Sequence, residues 1–187
     1  CHYCDFHSIV VGEADFPGLV DSYLVSLRRE ALYYRKLWAN GPLDSLFFGG
    51  GTPTLIPPEK LAQLIAFLLA ELPFTSDPEV TIEPRSGTPQ GAGLLAGAGV
   101  NRVSLGAQAF QNELLTAIGR LHRAEDIGAS VRSLRSAGIR EINLDLMFGL
   151  PGQDLAHWRA TLEAALALEP THLSCYALIL EPGTPLA

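Results

Sequence analysis

The sequence predicts an α/β fold built on a parallel sheet. Two features carry that expectation: short apolar runs alternate with amphipathic helical stretches, and the glycines and isolated polar residues that break those runs fall at their carboxyl ends. A third is negative, since no low-complexity or linker-like stretch interrupts the alternation and residues 1–187 therefore read as one domain. Strands this apolar are expected to be covered on both faces. Pattern alone leaves open whether the sheet is doubly wound or curled into a barrel, but in either case ligands bind at the carboxyl edge.

Taken in order, the chain opens on Cys1-His2-Tyr3-Cys4-Asp5-Phe6. Phe16 to Ala39 then reads as a helix, with Val20, Leu24, Leu27, Ala31 and Tyr34 recurring at three and four, and Asn40-Gly41-Pro42 stops it. Leu43 to Phe48 is a short strand running into Gly49-Gly50-Gly51-Thr52-Pro53-Thr54. Pro57-Pro58 starts a second helix, whose stripe is Leu61, Leu64, Ile65, Leu68, Leu69 and Leu72. A strand from Glu79 to Glu83 leads through Pro84-Arg85-Ser86-Gly87-Thr88 to a helix ending near Ala98. Asn101 to Ala107 is the third strand, followed by Gln108-Ala109-Phe110, a short helix to Ile118, and a longer one carrying Ile127, Val131 and Leu134 before Gly138. Glu141 to Phe148 is the fourth strand, interrupted by Asp145. A helix marked by Leu155, Trp158, Leu162 and Leu166 follows, then a fifth strand, Leu173 to Leu178, with Glu181-Pro182-Gly183-Thr184-Pro185 beyond it.

Composition narrows the function classes. With 13 Lys and Arg against 20 Asp and Glu, the net charge of −7 argues against nucleic-acid binding, which needs a basic stripe to neutralise phosphate. No apolar run reaches the ~18 residues of a membrane span, and no basic-then-apolar leader opens the chain. The chain reads as cytoplasmic. Three cysteines, two of them at Cys1 and Cys4, suit a reducing compartment better than a disulfide framework; Cys175 reads as a small core residue.

Each chemical motif has a plain alternative beside it. Two cysteines three apart can hold a metal or form a redox pair. The Gly49-Gly50-Gly51 run lacks the Lys of a phosphate-binding loop and the spacing of a dinucleotide fingerprint, so it is either a strand-to-helix turn or a place where backbone meets a ligand closely. Glu83 could be a solvated strand-end charge, whereas Asp145, inside an apolar strand, needs a partner or a ligand. Arg120 and His122 follow a helix end at Gly119 and could be dipole partners. His157 and His172 read as surface or packing residues.

Together these motifs resemble radical S-adenosylmethionine proteins of the oxygen-independent coproporphyrinogen III oxidase-like family. Cys1-His2-Tyr3-Cys4 resembles the last two thirds of that superfamily's Cys-x3-Cys-x2-Cys loop, whose first cysteine would lie four residues before Cys1. Phe48 to Thr54 resembles its methionine-binding loop. Gly106-Ala107-Gln108-Ala109-Phe110 and Leu144-Asp145-Leu146-Met147-Phe148-Gly149-Leu150-Pro151-Gly152 resemble its later strand ends. The resemblance implies an incomplete (β/α)6 barrel whose first strand lies outside this sequence, so that residues 1–187 are a partial radical SAM core domain.

It also implies roles. Cys1 and Cys4 would each bind one iron of a 4Fe-4S cluster, leaving an open iron for S-adenosylmethionine. Tyr3 would lie against the adenine, with Ile179 a further adenine contact. Gly50, Gly51 and Thr52 would meet the methionyl amine through backbone, and Glu83, Gln108, Arg120 and Asp145 would take the cofactor's polar groups. Where the dehydrogenases of the family carry a further cysteine two positions after the last cluster cysteine, this chain has Phe6. That position, and the Glu181 to Pro185 motif, resemble the haem chaperone branch, in which haem would be cargo passed to haem-accepting proteins such as respiratory enzymes; dimerisation stays open. Ser86 and Ala107 depart from that branch's usual proline and valine. The alternative within the family is a coproporphyrinogen III dehydrogenase, which converts propionate side chains to vinyl groups, and outside it an α/β protein with a redox dithiol.

Overall fold

The structure, a computed structural model, describes residues 1–6, 11–86 and 91–187. Gly87 and Thr88 of the second strand-end motif lie outside them. Six helices and five strands are described: α1 (Phe16–Leu37), β1 (Leu43–Phe48), α2 (Pro58–Glu71), β2 (Phe74–Ile82), α3 (Ala92–Gly97), β3 (Arg102–Gln108), α4 (Asn112–Ala117), α5 (Ala124–Ser136), β4 (Glu141–Phe148), α6 (Leu155–Leu166) and β5 (His172–Ala177). A single turn of 3-10 helix at Pro53–Leu55 follows β1.

All five strands are parallel and pair in chain order, β1 to β5. A doubly wound sheet reverses its order at a switch point; this one never does, so each right-handed crossover returns over the same face. The sheet curls into a half-barrel with helices outside, as expected for an incomplete barrel.

Period-two alternation separates the two faces. Val80 and Ile82, Val103 and Leu105, and Ile142, Leu144 and Leu146 point outward into one core with Leu61 and Ile65 of α2 and Ile127, Val131 and Leu134 of α5. Ile142, Leu144 and Leu146 are fully buried, and each such side chain contributes about 1.5–3 kcal/mol by leaving water. Leu46 and Phe48 also sit over a smaller cluster with Val20 and Leu24 of α1 and Leu64 and Leu68 of α2. The inner parity is different: Thr81, Ser104, Gly106, Asn143, Asp145, Ser174 and Tyr176 lie on the concave side. The expectation of strands covered by helices on both faces is therefore corrected. Among the described residues the outer face packs on helices, while the inner face is a largely polar trough that α4 covers only at its carboxyl end, against Met147.

Three further expectations change. β2 starts at Phe74 rather than Glu79, because Pro78, which cannot donate to a ladder, sits at an irregularity where pairing jumps from Leu43–Phe74 to Ser45–Glu79. Cys175 is exposed, not core: β5 is an edge strand, and no helix among the described residues covers that end of its outer face. α1 ends at Leu37, two residues early, where Trp38 turns extended and its indole N–H bonds Gly41 O.

Candidate functional site

One cavity of about 830 Å³ opens at the carboxyl edge of the sheet, and every residue singled out for a cofactor or metal lines it: Cys1, Tyr3, Cys4, Gly50, Gly51, Thr52, Glu83, Gln108, Arg120, Asp145 and Ile179. They come from seven separate segments. A parallel sheet with sequential order brings them together because all its strands end, and the loops that follow them begin, at the same rim.

The opening loop is held from both sides. His2 N–H donates to Ile118 O at 2.9 Å, and His2 O accepts from Leu186 N–H at 2.9 Å. Its ring covers Gly119, where φ is +69° and an added Cβ would lie 2.5 Å from His2 Cδ2. Tyr3 packs with Leu178 and Leu186 against the cluster of Leu114, Leu115, Ile118 and Met147. Burial pushes the Tyr3 hydroxyl up, opposed by the nearby Arg120 guanidinium. Cys1 and Cys4 are exposed free thiols. Among the described residues no group of three His, Cys, Asp or Glu gathers as a metal site.

Arg120 links this loop to the sheet, with Nη1 3.2 Å from Cys1 Sγ and Nη2 donating to Gly106 O at 3.0 Å. Its Nε is buried without a partner. The absence of a side chain at Gly106 is what lets the guanidinium approach: a Cβ there would lie 2.7 Å from Gln108 Nε2 and 3.1 Å from Arg120 Nη2. Arg120 is thus a pocket group rather than a helix-dipole partner.

Gln108 has φ +59°, left-handed backbone that costs a non-glycine residue about 1–2 kcal/mol. The β3–β4 register slips between Gly106 and Gln108, and Ala109 N–H closes a tight turn onto Ala107 O at 2.8 Å. His122 Nε2 lies 3.3 Å from the same carbonyl. His122 is buried, not a surface dipole partner; burial and the Arg120 charge push its imidazole pKa down to about 4, so the ring is neutral and its N–H donates to Ala107 O. Burial pushes the Tyr176 hydroxyl up, a shift opposed by the nearby Gln108 amide, and Gln108 Oε1 is buried and unpartnered.

Glu83 Oε2 accepts from Gly50 N–H at 3.2 Å, pinning the glycine loop to the end of β2, and Gly50 takes φ +106° to do so. Burial, and to a lesser degree the like charge of Asp145, push the Glu83 carboxyl up, against the pull of that N–H. Asp145 receives Ser104 Oγ at 3.0 Å on Oδ2 and Asn143 Nδ2 at 2.8 Å on Oδ1.

The wall thus presents the carboxylates of Glu83 and Asp145, an unpartnered guanidinium N–H and an unpartnered amide oxygen beside two thiols. A buried polar atom without a partner is costly, and two in one wall point to a ligand with its own acceptor and donor. An amino acid carrying an extra cation fits: carboxylates for the positive groups, Arg120 Nε for the carboxylate, Gln108 Oε1 for an N–H. Sequence reasoning passed over Ser104, Asn143 and Tyr176, and dismissed His122. The signal for the first two was the alternation Asn143-x-Asp145 and Ser104-x-Gly106-x-Gln108 along strands read as simply apolar.

The radical SAM superfamily model matches residues 1–165. The chain is 39% identical to the heme chaperone HemW of Bacillus subtilis over 98% of its own length and 48% of that protein's. It is 34% identical to the oxygen-independent coproporphyrinogen III oxidase of Pseudomonas aeruginosa, covering 94% of this chain and 39% of that one. Among solved structures, coproporphyrinogen III oxidase HemN from Escherichia coli, described as a radical SAM enzyme, superposes with a TM-score of 0.84 at 30% identity over 97% of this chain and 42% of that one. The chain spans about half the length, or less, of these relatives. The match over residues 1–165, together with the half-barrel, means that the chain belongs to the radical SAM superfamily.

Proposed function

We propose that this chain is the radical SAM core of a haem chaperone, binding a 4Fe-4S cluster and S-adenosylmethionine and serving delivery of haem to acceptor proteins. The observation that carries the cofactor half is the convergence of eleven residues, from Cys1 to Ile179, on one cavity whose wall holds two unpartnered polar atoms. Cys1 and Cys4 would ligate the cluster. Gly50, Gly51 and Thr52 would meet the methionyl amine, Glu83, Gln108, Arg120 and Asp145 the remaining polar groups, and Tyr3 and Ile179 the adenine. When bound, the cluster supplies one-electron chemistry to the sulfonium. The protein's own work is to hold charge in place: Glu83 ties down the glycine loop, and Arg120 spans the thiol of Cys1 and the end of β3.

The chaperone half is favoured by Phe6, which stands where dehydrogenases of the family carry a further cysteine and is exposed at the mouth of the cavity. The names of the HemW relatives support it too. The dehydrogenase reading keeps the same pocket and is supported by the oxidase relatives. Anaerobic reconstitution of the intact protein, followed by coproporphyrinogen III, reductant and S-adenosylmethionine, separates them. The chaperone reading expects no protoporphyrinogen IX and a saturable stoichiometric complex on haem titration; product formation, or no saturable haem binding, overturns it.

A further inference from the structure

We infer that Asn143, braced by Ser104 and Ser174, is a positioning residue that fixes the carboxylate of Asp145 for the bound cofactor. The inference rests on reading the cavity as the S-adenosylmethionine site and concerns residues to which that reading gives no role. Four inward-facing side chains from three adjacent strands form a connected polar set. Asn143 Nδ2 donates to Asp145 Oδ1 and to Ser104 Oγ, both at 2.8 Å, and Ser104 Oγ donates to Asp145 Oδ2 at 3.0 Å. Ser174 Oγ, from β5, donates to Asn143 Oδ1 at 3.1 Å. Asn143 is 3% exposed and Ser104 7%.

The register explains why these groups meet: Ser104 pairs with Asn143, and Asp145 with Ser174. The side-chain period of two then stacks all four on the concave face. An aspartate's terminal torsion is broad and two-fold, so an unsupported carboxylate turns freely. Here each oxygen has its own donor, and those donors are held by further hydrogen bonds that charge makes stronger than ordinary ones. The carboxylate therefore enters binding already oriented, and the ligand does not pay to order it.

Asp145 and Ser104 line the cavity, whereas Asn143 and Ser174 do not. Any effect of these two on the ligand must pass through Asp145 or Ser104, which makes the inference separable from a direct contact. A residue acting through a partner has no further effect once that partner is gone.

The test uses the intact protein with its reconstituted cluster and measures S-adenosylmethionine affinity by equilibrium dialysis, alongside iron content, for Asn143→Leu, Ser174→Ala and each combined with Asp145→Ala. Asn143→Leu should weaken binding at least 10-fold at unchanged iron, and Ser174→Ala about 2- to 4-fold. In the Asp145→Ala background each should change affinity by less than 2-fold. Unchanged affinity in Asn143→Leu, or losses that multiply in the Asp145→Ala background, overturn the inference while leaving the pocket reading intact. If Asn143→Leu does not fold, Ser174→Ala decides by the same two criteria. Absence of binding by the unaltered protein overturns the pocket reading and this inference with it.

Discussion

Leu144 and Asp145 are neighbours in the chain and face opposite sides of the sheet. Leu144 is fully buried among the helices, so Leu144→Ala should cost about 2–5 kcal/mol in a urea titration, while ligand affinity of the folded fraction stays within a few-fold. Gly106→Ala should do the reverse. Its new methyl would meet only the side-chain ends of Gln108 and Arg120 and no backbone, so unfolding free energy should shift by less than about 1 kcal/mol, whereas S-adenosylmethionine affinity should fall about 10-fold, the loss expected if one polar contact worth ~1.4 kcal/mol is displaced. His122 makes a pH-dependent contribution. Its native imidazole takes a proton only near pH 4, the unfolded one near 6.5, so between those values the unfolded chain binds more protons and stability falls as pH drops. With partial solvent screening the loss is roughly 2 kcal/mol. Urea midpoints at pH 7 and pH 4.5 should therefore converge in His122→Gln relative to the parent; an unchanged acid loss would show that the ring is not held neutral.

At the scale of elements, the opening loop depends on the close approach of His2 to Gly119. Gly119→Ala asks a methyl to occupy ring space at a left-handed φ, and at about 1–2 kcal/mol for the backbone alone the chain's easiest relief is to lift the loop. Reconstituted iron per chain should fall at least several-fold, with far-ultraviolet circular dichroism unchanged; full iron content would show that the loop tolerates the displacement. Much of this level was legible in the sequence. β1 and β4 have the bounds their apolar runs predict, and the carboxyl-edge rule drew attention to Gly50, Glu83, Gln108 and Asp145 before any topology was known. What stayed hidden has physical causes. Ser104, Asn143 and Ser174 are small or uncharged, and between Val, Leu and Ile they look like noise in an apolar run; only the curl of the sheet makes their parity an inner face. Cys175 looked like core because apolarity does not reveal that a strand is at an edge. His122 owes its burial to a turn closing on Ala107 that no local pattern encodes.

The whole molecule is a division of labour between two faces of one sheet. Sequential parallel order puts most of the described helices outside, leaves much of the concave face polar, and collects groups from residue 1 to residue 181 at one rim. Among the described residues no helix is long and apolar enough to cross a membrane. The haem chaperone reading, and its dehydrogenase rival, both stand on that rim being a cofactor site in which Asp145 serves the cofactor while Cys1 and Cys4 serve the iron. The most direct measurement is S-adenosylmethionine affinity and iron content of the intact, reconstituted protein beside Asp145→Ala. The account predicts affinity weakened at least 10-fold with iron per chain unchanged, because Asp145 meets the ligand and not the cluster. Iron lost at unchanged affinity would contradict it.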